Sequence, residues 1–204
     1  MKFIDKNFQD YEPCLSAMEN TVADIRGGQD GDQIWLLEHP SLYTAGTSAN
    51  KNDLLSSQFP VYETGRGGEY TYHGPGQRVA YVMMDLKKVS QTPDIKKYIW
   101  MLEEWIIQTL SEFGIQGERR DGRVGIWVVM PDRRESKIAA IGVRIRHWIT
   151  FHGIAINLNP DISHFGGIVP CGISNHGVTC INDLNPNVSM DDLDAALKRK
   201  WVGY

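Results

Sequence analysis

Thiols are scarce in this sequence. Of its 204 residues only Cys14, Cys171 and Cys180 carry one. An odd number with no C-x-x-C spacing does not make a disulfide scaffold, so a reducing, cytoplasmic setting is the expectation. The six histidines are scattered. With no H-E-x-x-H pair, no metal site is expected. No apolar run reaches the ~18 residues that would cross a membrane. Met1 to Lys6 lacks the apolar core of a signal peptide. No Gly-Lys-Ser/Thr follows a glycine-rich stretch, which excludes a Walker-type phosphate loop. Repeats, low-complexity tracts and linkers are also missing, so residues 1–204 read as one domain.

What is present fits an ordinary folded enzyme-sized chain. Hydrophobic residues make up 42% and charged residues 23%, enough for a full core. The net charge of −4 gives no support to general nucleic-acid binding. The charge is uneven, however: residues 119–147 carry +5, leaving −9 over the rest. Such a run is either a solvated face or a dock for an acidic partner.

Periodicity predicts a helix over residues 11–26, with Leu15, Met18, Val22 and Ile25 on one stripe. A longer one is predicted from Pro93 to Gly114, and a last one after Ser189, capped with Asp192. Strands are predicted at Gln33–Glu38, Val61–Thr64, Arg78–Leu86, Arg123–Met130, Lys137–Arg146 and Ile149–Leu158. The last two form a hairpin. Tyr43–Gln58 reads as loop with a short turn of helix, and Gly65–Gln77 as a long glycine-rich loop.

Three stretches invite chemical readings. Cys171 sits in Val169-Pro170-Cys171-Gly172-Ile173, where proline and glycine can hold a thiol at a pocket rim. A small buried cysteine in a turn is the alternative. The glycine-rich loop, with Arg66, Tyr72 and His73 interleaved, suits a ligand cradle or an empty hairpin loop equally. After Lys137, the run Ile138-Ala139-Ala140-Ile141-Gly142 has little bulk, so backbone can approach a ligand. Lys137 otherwise reads as a solvated strand-edge lysine, and His152 as a satisfied core histidine. Cys180 reads as structural.

Taken in order, Arg66-Gly67-Gly68 with Thr71-Tyr72-His73-Gly74-Pro75-Gly76-Gln77, then Lys137 to Gly142, Phe151 to Ala155, and Pro170-Cys171-Gly172-Ile173 resemble the octanoyltransferases of lipoate synthesis. The resemblance spans roughly residues 37–184. It implies an α/β fold, a mixed α+β sheet like the catalytic domain of biotin and lipoate protein ligases. It also implies roles. Cys171 would accept the acyl group and Lys137 would activate it. Arg66, Gly67, Gly68, Glu69, Tyr70, Thr71, Tyr72 and His73 would form the acyl-substrate loop. Ala140, Ile141 and Gly142, with Gly153, Ile154 and Ala155, would wall the pocket. The sequence departs from the family pattern at Glu69-Tyr70, at His176 and at Cys180, none of which removes a reactive group.

The implied donor is octanoyl-acyl carrier protein. The implied acceptors are lysines on the lipoyl domains of 2-oxoacid dehydrogenases and on the glycine cleavage H protein. No cofactor, nucleic acid or membrane enters. A free thiol is mostly protonated near neutral pH, and an adjacent ammonium favours the thiolate. Lys137 precedes Cys171 by 34 residues, so only the fold can join them. Backbone N–H groups near Gly172 or His73 are candidates for stabilising the oxyanion. The rival classes are an ATP-dependent lipoate or biotin ligase on the same fold, a non-catalytic acyl-carrier-binding module, and an amidotransferase moving octanoate between lipoyl domains.

Overall fold

The computed structural model describes residues 1–169 and 176–201. Pro170, Cys171, Gly172, Ile173 and Asn175 therefore lie outside the described residues, as does the reading placed on Cys171.

The strands run β1 (Lys2–Phe8), β2 (Gln33–Glu38), β3 (Leu42–Ala45), β4 (Val61–Glu63), β5 (Tyr70–His73), β6 (Gln77–Met83), β7 (Glu118–Arg120), β8 (Arg123–Val129), β9 (Glu135–Arg146), β10 (Ile149–Asn157) and β11 (Gly177–Val178). The helices are α1 (Tyr11–Gly27), α2 (Leu86–Val89), α3 (Ile95–Ser111), α4 (Ile181–Leu184) and α5 (Met190–Lys200). The main sheet orders its strands β1-β2-β6-β10-β9-β8-β7, with β11 added beside β9. β1 is parallel to β2, β11 is parallel to β9, and the remaining pairs are antiparallel. A second sheet orders β4-β3-β5. The mixed α/β architecture agrees with the expected fold class.

Alternation along the central strands gives each sheet face its own core. Ile34, Leu36, Ala80, Val82, Ile154 and Ile156 face α3 and α5. Trp35, Leu37, Val79, Tyr81 and Ala155 face α1, which brings Cys14, Met18, Val22 and Ile25. This is helix packing on both faces of a sheet whose residues alternate with period two. The caps follow local chemistry. Asp94 accepts from the N–H groups of Lys96 and Lys97. Ser189 and Asp192 cap each other's backbone in the reciprocal way the sequence suggests.

Several elements differ from the sequence reading. Leu42–Ala45 is a strand instead of loop, and all four residues are buried. Tyr70–His73, inside the glycine-rich segment, pairs with it. β1 was not legible, because as an edge strand it buries only part of its apolar surface. The helix expected from Pro93 begins at Ile95, because Asp94 takes the cap.

Lys137 is not a solvated edge lysine. It lies inside the sheet, between Trp127 of β8 and Val178 of β11, and is 7% exposed.

Candidate active site

α1 covers only part of its face of the main sheet. Beyond it, the small sheet and its glycine-rich loop lean over β9 and β10. Between them lies a cleft of about 300 Å³.

A β-bulge puts Lys137 in this cleft. Ile126 pairs with Ala139, but the next residue, Trp127, pairs with Lys137. One extra residue in β9 resets the alternation. Ile138 and Ala139 both enter the core against α3, while Lys137 and Ala140 both line the cleft. Plain alternation would set residues 137 and 140 on opposite faces. The Lys137 ammonium lies 5.4 Å from the centroid of the Trp127 ring.

Arg66 is 7% exposed and organises the loop. Its guanidinium donates to the Thr44 carbonyl (2.9 Å) and hydroxyl (2.6 Å), the Gly67 carbonyl (3.0 Å) and the Glu69 carbonyl (3.0 Å). Its methylenes rest on Gly142, where an added Cβ would sit 2.9 Å from Arg66 Cδ. The loop is tied to β9 by the N–H of Gly67, which donates to the Val143 carbonyl at 2.8 Å.

Two neutral imidazoles line the wall. His73 Nδ1–H donates to Gln77 Oε1 at 2.7 Å, leaving Nε2 as the lone-pair nitrogen. Burial first, then the His39, Arg66 and His152 neighbours, pushes its pKa down to about 3. His152 is held at a φ of 57°. That left-handed backbone departs from strand alternation and sets its ring edge-on to Tyr81, at 5.8 Å. Burial, with Arg66 and Arg144, lowers its pKa to about 3 as well. Neither ring carries charge near neutral pH. His73 is also the first member of a buried chain. Gln77 Nε2 donates to Asn157 Oδ1 (2.9 Å), Asn157 Nδ2 to the Thr179 carbonyl (3.0 Å), and the Thr179 N–H to the Lys137 carbonyl (3.0 Å).

Of the described residues expected to form the site, Arg66, Gly68, Glu69, Tyr70, Thr71, His73, Lys137, Ala140, Ile141, Gly142, Gly153, Ile154 and Ala155 line this one cleft. Gly67 and Tyr72 do not. Tyr72 turns away, bonded to Ser41 (3.0 Å) and His164 Nδ1 (2.9 Å) among Tyr43, Phe59 and Phe165. Sequence reasoning missed Tyr11, Tyr81, Trp127 and His152 as cleft residues. Tyr11 had a signal, since it stands seven residues before Met18 on the α1 stripe.

The Cys171 segment is bracketed by fixed neighbours. Before it, the Val169 N–H donates to the Asp53 carbonyl at 2.8 Å. After it, His176 stacks edge-on against Trp127 at 5.4 Å and meets Arg123 at 2.8 Å. Trp127 is thus shared by Lys137 and by the chain five residues past Cys171. Among the described residues no group of three or more metal-ligating side chains exists, and no helix is long and apolar enough to cross a membrane.

The model of the lipoyl protein ligase A/B catalytic domain matches residues 10–202. A protein named octanoyltransferase from Paramagnetospirillum magneticum is 61% identical, covering 92% of this chain and 88% of its own. Octanoyltransferases from Cereibacter sphaeroides and Brucella melitensis are 59% and 58% identical, over 94% and 97% of this chain and 91% and 78% of theirs. The chain belongs to the octanoyltransferases of this family. Among solved structures, an archaeal bipartite lipoate protein ligase from Thermoplasma acidophilum superposes with a TM-score of 0.75 at 15% identity, covering 98% of this chain and 82% of that one. A biotin protein ligase from Aquifex aeolicus, in complex with biotin and ATP, gives 0.57 at 11% identity, covering 98% and 68%. At such identities the likeness carries the fold, which this octanoyltransferase family member shares with ligases.

Proposed function

We propose that this enzyme transfers an octanoyl group from octanoyl-acyl carrier protein to the ε-amine of a lysine on a lipoyl domain, through a thioester on Cys171. Octanoyl transfer in lipoate biosynthesis is the activity of the family to which the chain belongs. The observation that supports this route is the bulge that turns Lys137 into the same cleft as the Arg66–His73 loop.

In the first step the Cys171 thiolate attacks the octanoyl carbonyl. The tetrahedral oxyanion collapses, the carrier thiolate leaves, and it takes a proton from the Lys137 ammonium. In the second, the acceptor amine attacks the enzyme thioester. Lys137 accepts the proton released as the C–N bond forms, and Cys171 leaves as thiolate. Thioester exchange is nearly balanced and amide formation is downhill, so no ATP is consumed. Lys137 acts from a buried position beside the Trp127 ring.

The test is incubation with octanoyl carrier protein and a lipoyl domain, without ATP. The domain should gain one octanoyl mass. Without acceptor, the enzyme should gain it on Cys171, removable by hydroxylamine. A requirement for ATP would establish ligase chemistry instead, and an adduct mapped to Cys14 or Cys180 would overturn the assignment of the nucleophile.

A further inference from the structure

The arginine-rich stretch 119–147 reads in sequence as one basic face, and the fold divides it. Arg119 pairs with Glu103 (3.0 Å) and Glu104 (2.9 Å), Arg123 with Glu135 (2.6 Å), and Arg134 with Asp132 (2.6 Å). Arg120 is held between Glu118 and Glu135. Carboxylates pair with these four arginines, while the exposed Arg133, on the turn after β8, makes no ion pair among the described residues.

The other end gathers cations. Arg144, Arg146 and His147 meet Arg26 of α1 around a groove of about 190 Å³ floored by Val22 and Phe151. Glu19 is the one carboxylate among its lining residues, 3.7 Å from Arg144 and itself half exposed. Arg26 and Arg146 are exposed and make no ion pair among the described residues. The field is strong enough to depress the His147 pKa, through Arg26 first, then burial, Arg146 and Lys87. The turn that presents it is unusual. His147 and Trp148 stand at φ 53° and 68°, where hairpins favour Asn-Gly.

The groove is continuous with the cleft. Ala140, Gly142, Arg144 and Arg146 lie on one face of β9. Ala140 and Gly142 line the cleft. Arg144 and Arg146 stand two and four residues further on, roughly 7 and 13 Å along the strand. The Arg144 guanidinium rests against Gly65, where an added Cβ would be 2.9 Å from Nη1, next to the loop that begins at Arg66.

We propose that this groove docks the acidic face of the acyl carrier protein, so that the carrier sits beside α1 while its acyl thioester enters the cleft along β9. The inference rests on the octanoyl-transfer reading above. It names which of the basic residues meet the carrier: Arg26, Arg144, Arg146 and His147, not Arg119, Arg120 or Arg123. Charge complementarity commits the site to an acidic partner, and continuity with the cleft commits it to the donor.

The experiment compares transfer from octanoyl carrier protein with transfer from a carrier-free octanoyl thioester of N-acetylcysteamine. In Arg26→Glu with Arg146→Glu, the KM for the carrier should rise about 10-fold or more and lose its salt dependence, since rim charges act mainly through association. The gentler Arg26→Gln with Arg146→Gln should give about 3-fold. Arg134→Glu, whose partner is local, should stay within about 2-fold. In all three, kcat/KM for the carrier-free thioester should change by less than about 2-fold, because the cleft is untouched. Unchanged carrier KM in both double variants overturns the proposal. A rise instead in KM for the lipoyl acceptor also overturns it, and gives the groove to that domain. If the wild-type enzyme transfers nothing from the carrier yet is acylated by the small thioester, the donor reading itself fails and the docking proposal with it.

Discussion

Lys137 occupies the space that Gly125 leaves empty. A Cβ at residue 125 would lie 2.5 Å from Lys137 Cε, 3.1 Å from its Nζ and 2.6 Å from the Ala139 carbonyl oxygen. Gly125 also stands at φ 112°, which side chains disfavour. Gly125→Ala should therefore cost about 1–3 kcal/mol by denaturant unfolding. It should also displace the ammonium, slowing octanoyl transfer by about 10-fold or more. Loss of stability with full activity would show that the lysine's position does not matter.

Thiol reactivity should single out one cysteine. Cys14 is buried under α1, and burial pushes its thiol up to about 11. Cys180 is buried at the start of α4, and its pKa is raised, mainly by burial. Neither offers much thiolate at pH 7. Brief iodoacetamide treatment of the native enzyme should label Cys171 alone, read by peptide mass. Cys171→Ser should abolish transfer and leave the unfolding midpoint within experimental error. Comparable labelling of Cys14 would contradict this.

If Lys137 activates Cys171 as proposed above, Lys137→Met should slow alkylation of Cys171 near pH 7, with recovery at high pH, because a cation favours the thiolate. Lys137→Arg keeps the charge but does not exchange a proton readily. It should retain alkylation to within about 3-fold while transfer falls by about 10²-fold or more. Equal losses in both assays for the arginine variant would argue against proton transfer by Lys137.

The buried histidines make the fold acid-sensitive. His73 and His152 have pKa values lowered from 6.5 to about 3. The unfolded chain therefore binds protons more readily than the folded one. Stability from these groups is full above pH 6.5 and is lost as pH falls toward 3. At pH 5 each should cost on the order of 2 kcal/mol. Urea midpoints measured from pH 8 to 4 should fall accordingly. His152→Asn, which tolerates the left-handed backbone, should flatten the lower part of that curve. An unchanged slope would mean that His152 is protonated in the folded state.

Much of this arrangement was legible before the fold was known. The stripe of α1, the long α3, the capped α5 and the β9–β10 hairpin follow from period and capping alone. The co-location of Arg66, Lys137, Gly142 and Gly153 followed from family resemblance. The phase of β9 was not legible. A bulge leaves no mark in Lys137-Ile138-Ala139-Ala140, and only pairing against Ile126 and Trp127 creates it. Tyr72 was misplaced for a similar reason. Thr71 and His73 share one face of β5, while Tyr72, in mid-strand on the other, packs among Tyr43, Phe59 and Phe165; Tyr70 on that same face reaches the cleft from the start of the strand. The basic segment misled because the partners of Arg119, at Glu103 and Glu104, lie on a helix before it.

The parallel pairing of β11 with Ser136 and Lys137 also sets the order in which the enzyme can become competent on refolding. The β9–β10 hairpin joins residues close in sequence and can close within microseconds. β11 must bring back chain from about forty residues away, a slower closure that needs β9 already in place. Tryptophan fluorescence from the sheet core should therefore recover before octanoyl transfer does. The interval between the two signals would time the arrival of the last strand at the lysine.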